Sequence, residues 1–474
     1  MEPNGDNMIE PVLLMDKGEH FPIYLRLYEY FKDEITSGNL LENEKLPSKR
    51  CLATHLHCSL NTVQAAYNQL IDEGYILPKA RSGYFVAAVQ NIAFPQCAEK
   101  QEDIAEDPAE RFLYNFSLHG IDADGFPVKI WRKLCNTIIC TDNSELFRES
   151  NFQGLIRLRS GIARYLHDSR GVICSPKQII ISSGTDYLLQ QLIQLFDYDY
   201  TYAIENPGYE KLALLFSSNR AKYVPVRVNE NGIDIEQIEK SQVNVVCITP
   251  THQFPLGSIM PINRRVQLLN WAYDKPDRYI IEDDYDSEFR YIGKPIPSLQ
   301  GLDHKGRVIY IGSFSKSLSP SLRISYMVLP AQLVEDYQRK MSFTICSAPA
   351  VEQEILSRFI ENGFYDSHLN RMRKIYRQKR ETLVAAIQKM LPNAVIIGAN
   401  AGLHLILKVN NGMEGDRLVE TAKEKRVLIL DISRYFCDAP PANYRDAVAL
   451  GFATLKENEI IPAIALLNEA WFHA

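Results

Sequence analysis

Between Ala87 and about Arg111 the chain carries no periodic apolar face: Gln96 to Asp103 is mostly polar and acidic, and Ala105-Glu106-Asp107-Pro108 follows it. Such a stretch buries too little apolar surface to offset the entropy of ordering it, so it predicts a break in the fold. Residues 20–87 and 112–474 then become separate domains joined by a linker over 88–111. A chain of 474 residues is in any case longer than one hydrophobic core usually organises. Its 46% hydrophobic and 23% charged content excludes disordered and fibrous classes.

Ahead of the break, Ile23, Leu27, Tyr30, Phe31 and Ile35 recur at helical spacing from Phe21 to Ser37, and Gly38 is a stop signal. Pro47-Ser48 opens a second, short helix through Ala53 and Leu56. Ser59 or Asn61 caps a third that carries Val63, Ala66, Tyr67, Leu70 and Ile71 on one face and closes at Gly74. Two short helices around a tight turn form a helix-turn-helix. Tyr75 to Pro78 and Tyr84 to Val86 read as two strands around the basic turn Lys79-Ala80-Arg81-Ser82-Gly83, a wing.

Residues 45–86 hold Lys45, Lys49, Arg50, Lys79 and Arg81 against Asp72 and Glu73, a local basic patch on a chain of net charge −6. That overall charge argues against coating nucleic acid non-specifically, so any DNA contact has to come from this patch. A recognition helix reads bases through its N-terminal residues, here Ser59, Asn61, Thr62 and Gln64, whose hydroxyl and amide groups suit base edges or phosphates, Asn61 and Gln64 being the better base readers; Lys49, Arg50 and Arg81 of the patch are further DNA-binding candidates. The ordered set Leu46-Pro47-Ser48-Lys49-Arg50, Asn61-Thr62-Val63, Asp72-Glu73-Gly74-Tyr75 and Gly83-Tyr84-Phe85-Val86 resembles the GntR winged-helix family. Leu60 and Gln64 stand where many such domains have arginines, so no operator sequence carries over.

Beyond Phe112, apolar strand candidates alternate with amphipathic helices: Ile179 to Ile181, Val243 to Ile248, Tyr279 to Ile281 and Val308 to Ile311. This predicts an α/β domain with a mainly parallel sheet. Chemistry-bearing residues follow the strands. Lys316 ends Gly312-Ser313-Phe314-Ser315-Lys316, with Arg323 seven residues on. A lysine there suits a Schiff base with an aldehyde, while Ser313, Ser315 and Arg323 suit a phosphate. Asp283 and Tyr285 point the same way if their strand continues, so one can hold a pyridine nitrogen protonated and the other can bond the ring's phenolic oxygen. Ser183-Gly184-Thr185 is a small-residue turn feeding a helix N-terminus, where free N–H groups favour an anion. Tyr209, after Asn206-Pro207-Gly208, offers a ring to stack on the pyridine.

These motifs in this order, with Thr249-Pro250-Thr251-His252-Gln253-Phe254-Pro255 among them, resemble fold-type I aminotransferases. The Gln-Phe-Pro segment and the fused winged helix make the chain similar to the MocR/GabR family of regulators. The resemblance implies pyridoxal 5'-phosphate as cofactor, Lys316 as its internal aldimine, a small C-terminal α/β subdomain, and a homodimer. It also implies Arg434 as the clamp for an effector carboxylate; Lys211, close after Tyr209, is a candidate second cationic contact for an acidic effector. An amino acid, with γ-aminobutyrate as one candidate, would form the external aldimine and change promoter binding. Phe254 takes the place of the asparagine of metabolic aminotransferases, which argues against sustained turnover. The alternative is a working aminotransferase with an accessory DNA-binding domain. His119 and Phe116 are candidates to reach a neighbouring subunit's site.

The nine cysteines are scattered without C-x-x-C pairs or metal-ligand spacing, which predicts reduced, mostly buried thiols and no metal. No stretch reaches the roughly 20 apolar residues of a membrane span, and no signal segment opens the chain; a cytoplasmic protein is expected.

Overall fold

The structure, a computed structural model, describes residues 22–88, 112–140, 144–196, 199–293 and 296–472. Apart from residue 88, the expected linker lies outside them. The chain divides into two units, one up to Ala105 and one from Glu106 onward.

In the first unit, α1 (Ile23–Thr36) buries Leu27, Tyr28, Phe31 and Ile35. Ser48 starts α2 (Lys49–His55) by accepting the Cys51 N–H at 3.2 Å, and Ser59 starts α3 (Leu60–Asp72) by accepting the Thr62 N–H at 3.1 Å. Each cap satisfies a backbone donor that the helix itself leaves open. The chain leaves α3 through Gly74, at φ +81°, a left-handed turn that glycine adopts without steric cost. Strands β1 (Ile76–Lys79) and β2 (Gly83–Val86) pair antiparallel from Ile76 opposite Val86 to Lys79 opposite Gly83, which makes the wing. Tyr67 is the hub: fully buried, it meets Phe31 and Tyr84 edge-on at 5.7 and 5.0 Å and donates to the Pro47 carbonyl at 2.9 Å. Truncating a buried ring of this kind costs about 3–5 kcal/mol.

The second unit holds β3 (Tyr114–Asn115), β4 (Ile179–Ser182), β5 (Thr201–Asn206), β6 (Lys222–Asn229), β7 (Gly232–Ile233), β8 (Val245–Ile248), β9 (Tyr279–Asp284), β10 (Val308–Ser313) and β11 (Ser325–Val328). Eight of these strands form one sheet in the order β4-β11-β10-β9-β8-β5-β6-β7. The pairs from β10 through β6 are parallel; β11 runs antiparallel between β10 and β4, and β7 antiparallel to β6. Except for β6 towards one edge, the sheet's strands are buried on both faces, by helices that include α4 (Val128–Cys140), α5 (Ile156–Arg170), α6 (Thr185–Leu195) and α7 (Glu210–Ser218). That is why Ile179 to Ile181 and Val245 to Ile248 read as unbroken apolar runs.

A smaller antiparallel sheet follows, built from β12 (Val395–Ile397), β13 (His404–Lys408), β15 (Leu430–Asp431) and β16 (Ala447–Gly451), while β14 (Val427–Leu428) pairs with β3. Helices 364–390 and 457–472 share its core with Leu405, Leu407, Val448 and Leu450. Phe116 is fully buried in this core, so it is a packing residue and does not reach out to a neighbour. The thiols also correct expectation: Cys247 and Cys346 are buried, but Cys51, Cys140 and Cys437 are exposed. Among the described residues, no helix is long and apolar enough to cross a membrane.

Candidate cofactor and DNA-binding sites

Parallel strands in an open α/β sheet present their carboxyl ends to a common crevice. Here the ends of β4, β5, β8, β9 and β10 deliver Gly184, Tyr209, Thr249, Asp283 and Lys316 to one cavity of about 270 Å³. Antiparallel β11 contributes its start, bringing Arg323 and Ser325 to the same place. Leu118, His119, Phe254, Asp286 and His404 complete much of the wall.

Lys316 lines this cavity, and its Nζ donates to the Leu118 carbonyl. Burial disfavours the ammonium and pulls its pKa down to about 8, with Asp286 acting weakly the other way. Strand β9 alternates as expected. Glu282 and Asp284 face away: Glu282 accepts the Leu299 and Gln300 N–H groups, and Asp284 accepts from Arg170, Thr251, Tyr310 and Ser287. Asp283 and Tyr285 face the cavity. Asp283 Oδ1 is buried without any hydrogen-bond partner. Desolvation, then Asp284, Asp286 and Asp186, push its carboxyl up to about 7. An orphaned carboxylate oxygen of this kind calls for a donor from whatever fills the cavity.

The other end of the cavity is an anion cradle. Helix α6 opens at Gly184 with no side-chain cap, and the Arg323 guanidinium lies directly against Gly184, where a Cβ would collide with it. Ser313 accepts from the Ser315 N–H at 3.1 Å and from Ser325 Oγ at 3.0 Å, and donates to Ser315 Oγ at 2.9 Å. Free helix N–H groups, a guanidinium and linked hydroxyls match a phosphate. Together with a depressed lysine and an unpaired aspartate, this donor set fits a phosphorylated pyridine aldehyde.

Thr185 and Gly184 line the cavity, but Ser183 is not among its lining residues; its N–H is donated to Ser347 Oγ at 2.9 Å. Tyr209 meets Phe254 edge-on at 5.8 Å, so both rings bound the space for a flat ligand. Tyr285 stays a phenol, because burial and then the surrounding carboxylates raise it far above its ordinary range. Lys211 lines the cavity and is exposed. Arg434 is not a lining residue: it forms a two-point ion pair with Glu210 at 3.0 and 2.9 Å, the surface pairing that a ligand carboxylate would have to displace. His119 lines its own chain's cavity, and burial, then Lys316, depress its imidazole to about 4.

The sequence did not single out Ser325, Asp286, Thr249 or His404 as site residues. Among the described residues, His252, Asp286 and His404 bring ring nitrogens and a carboxylate oxygen within 4.8 Å of one another. The contacts are hydrogen bonds: His252 Nδ1 to Asp286 Oδ2 at 2.9 Å, and His404 Nε2 to the Pro255 carbonyl at 2.9 Å.

On the winged helix, Arg50, Ser59, Asn61 and Arg81 are exposed. Lys49 donates to Gln64 Oε1 and lies 5.2 Å over the Tyr84 ring, while Gln64 donates to Asn68 Oδ1 at 2.6 Å. Ser59 and Thr62 share a 2.8 Å hydroxyl contact, so Ser59 is occupied as the α3 cap. Asn61 and Arg50 remain open at the surface, and Arg81 sits in the wing turn at φ +60°.

Residues 23–86 match bacterial regulatory proteins of the gntR family, and residues 122–458 match aminotransferase class I and II. The chain is 42% identical to YdeL of Bacillus subtilis, an uncharacterized HTH-type transcriptional regulator, over 95% of this chain and 97% of that one. It is 32% identical to MocR of Rhizobium meliloti, a probable rhizopine catabolism regulatory protein, over 97% of this chain and 96% of that one. In fold, it is similar to an archaeal alanine:glyoxylate aminotransferase, with TM-score 0.69 and 24% identity over 76% of this chain and 91% of that one. The chain belongs to the MocR family of transcription regulators, in which a GntR-type winged helix-turn-helix is joined to an aminotransferase-like domain.

Proposed function

We propose that the aminotransferase-like unit holds pyridoxal 5'-phosphate as a sensor for an amino acid, and that the state of this site sets how the winged helix engages promoter DNA. The observation that carries the reading is the convergence of Lys316, the unpartnered Asp283 Oδ1 and Arg323 at the α6 N-terminus on one cavity. When bound, the cofactor supplies an aldehyde that condenses reversibly with a primary amine and a ring that withdraws electrons. Lys316, with its pKa near 8, keeps a useful fraction of neutral amine at cellular pH for that exchange. Asp283 accepts from the ring nitrogen, and Tyr285 serves the phenolic oxygen. Gly184, Thr185, Ser313, Ser315 and Arg323 hold the phosphate. At the cavity, Lys211 offers charge to an effector carboxylate, and Arg434 does so once Glu210 releases it.

Regulation follows only if the effector binds one arrangement of the chain better than another, since equal affinities shift nothing. The reading includes a homodimer, as the aminotransferase resemblance implies, and sedimentation of the purified chain tests that part. The main test compares visible spectra of wild type and Lys316→Ala, titrated with γ-aminobutyrate and a panel of amino acids, with promoter binding and 2-oxo acid product followed in parallel. A lysine-dependent band that responds to one amino acid and changes promoter binding without sustained product supports the sensor. Absence of any such band removes the cofactor, and product formed over many equivalents makes the protein an enzyme.

A further inference from the structure

Behind Tyr285 lies a buried pair with no part in the scheme above. His252 Nδ1 is 2.9 Å from Asp286 Oδ2 and also 2.9 Å from Tyr285 Oη. One ring nitrogen serves two oxygens, and this fixes where the hydrogens are. A carboxylate accepts and does not donate, so a bare Nδ1 lone pair facing Asp286 at that distance would be repelled. Nδ1 therefore carries the hydrogen. Nε2 on the other side of the ring is buried without a partner, and the His404 ring lies 5.1 Å away. The one Nδ1 hydrogen is at most shared between Asp286 and Tyr285, and a protonated Nδ1 has no lone pair for the Tyr285 hydroxyl, whose own hydrogen turns outward to the cavity that Tyr285 lines.

Two features hold the pair rigid. His252 and Asp286 are both buried, and a Cβ on Gly402, which sits at φ +70°, would strike both the imidazole ring and the carboxylate, so backbone presses on each. Tyr285 feels Asp286, Asp283, Glu205 and Asp284, while His404, which faces His252 and Lys316, is held neutral by burial, its imidazole pushed down to about 3.

We infer that His252 and Asp286 are a positioning pair whose fixed tautomer turns the Tyr285 hydroxyl proton into the cavity, toward the ring oxygen of the cofactor. The inference rests on the cofactor reading above and adds two residues that act through a third. It predicts a spectroscopic effect, since a donor to the ring oxygen favours its ionised form and lowers the pH at which the lysine-linked chromophore changes colour.

The experiment records visible spectra against pH for the cofactor-loaded full chain in wild type, His252→Leu, His252→Asn, Asp286→Asn, Tyr285→Phe and the Tyr285→Phe/His252→Leu double variant. His252→Leu is expected to raise the midpoint by about one pH unit, the worth of one neutral hydrogen bond. Asn at 252 keeps a donor near the Nδ1 position and restores most of the wild-type midpoint. The Leu change adds nothing once Tyr285 is Phe. If His252→Leu does not fold, Asp286→Asn decides, with a smaller shift in the same direction. Unchanged midpoints in the variants, or an equal shift in the Tyr285→Phe background, overturn the positioning role. A wild type without a lysine-dependent band instead overturns the cofactor reading and this inference with it.

Discussion

Arg323 lies against the α-carbon of Gly184 so closely that the two residues exclude any side chain between them. Gly184 is also at φ +126°, which L side chains rarely adopt, and it opens α6 without a side-chain cap. Gly184→Ala therefore displaces the guanidinium from the helix N-terminus and strains the turn together. Affinity for pyridoxal phosphate should fall at least about tenfold, or ~1.4 kcal/mol, in an absorbance titration. Pyridoxal without the phosphate should lose much less. Equal losses for both ligands would move the phosphate elsewhere.

Asp283 gives the protein a pH dependence whose sign can be worked out. Its carboxyl titrates at about 7 in the folded chain against an ordinary value of 3.8. Between these values the folded state binds more protons than the unfolded one, so stability falls as pH rises through that window. Glu205, Glu282 and Glu288 are pushed up to about 7 as well, so the slope of wild type alone does not isolate Asp283. Asp283→Asn does, because the amide has no charge to bury. In denaturant melts of cofactor-free protein, the variant should gain about 1 kcal/mol or more over wild type at pH 8 and little at pH 4. A gain of the same size at both pH values would mean the carboxyl is not the cause.

In the winged helix, the proposed base and phosphate contacts can be tested apart from the residue that caps the recognition helix. Ser59 caps α3 through the Thr62 N–H, so Ser59→Ala should cost about 0.5–2 kcal/mol of stability and weaken binding to all sequences alike. Asn61 is exposed and unengaged as a cap; Asn61→Ala should cost about 1–3 kcal/mol on the cognate operator and relax specificity at one position. Arg81→Ala should reduce the salt dependence of binding by roughly one counterion. Competition binding at several salt concentrations reads all three, and an Asn61→Ala loss that is the same on random DNA would remove it from base recognition.

How far the sequence could be read depended on whether a residue's partners are local. Asp283 and Tyr285 share a face because strands alternate with period two, and this needs nothing beyond residues 279 to 285. The helix caps at Ser48 and Ser59 lie three residues from the N–H groups they accept. Ser183 could not be judged in the same way: what takes its N–H is Ser347, brought alongside only by the folded sheet. Ser325 enters the cavity because β11 runs antiparallel beside β10, and no spacing rule announces that reversal. His252 was visible within its motif, yet its meaning depends on Asp286, which follows a different strand. Short strands Tyr114–Asn115 and Val427–Leu428 pair across most of the second unit, and two residues carry no period to detect.

Arg434 and Glu210 pose the remaining choice, between a surface ion pair and a gate for the effector. The pair is half-open to solvent, and exposed pairs are worth about 0.2–1 kcal/mol, so structure alone gives little reason for either residue. A carboxylate ligand reaching Arg434 must first displace Glu210, which then acts as an internal competitor. Glu210→Gln removes the competing charge while keeping the shape, and should raise apparent affinity for a carboxylated amino compound severalfold, about 1 kcal/mol. Arg434→Ala should lower that affinity by about tenfold or more while changing the melting midpoint little, because a two-point guanidinium contact carries about 1.5–3 kcal/mol. The same two variants titrated with an amine lacking the carboxylate should behave like wild type. If Glu210→Gln leaves affinity unchanged and Arg434→Ala affects both ligands equally, the pair is structural, and Lys211 is left as the cationic contact for the effector.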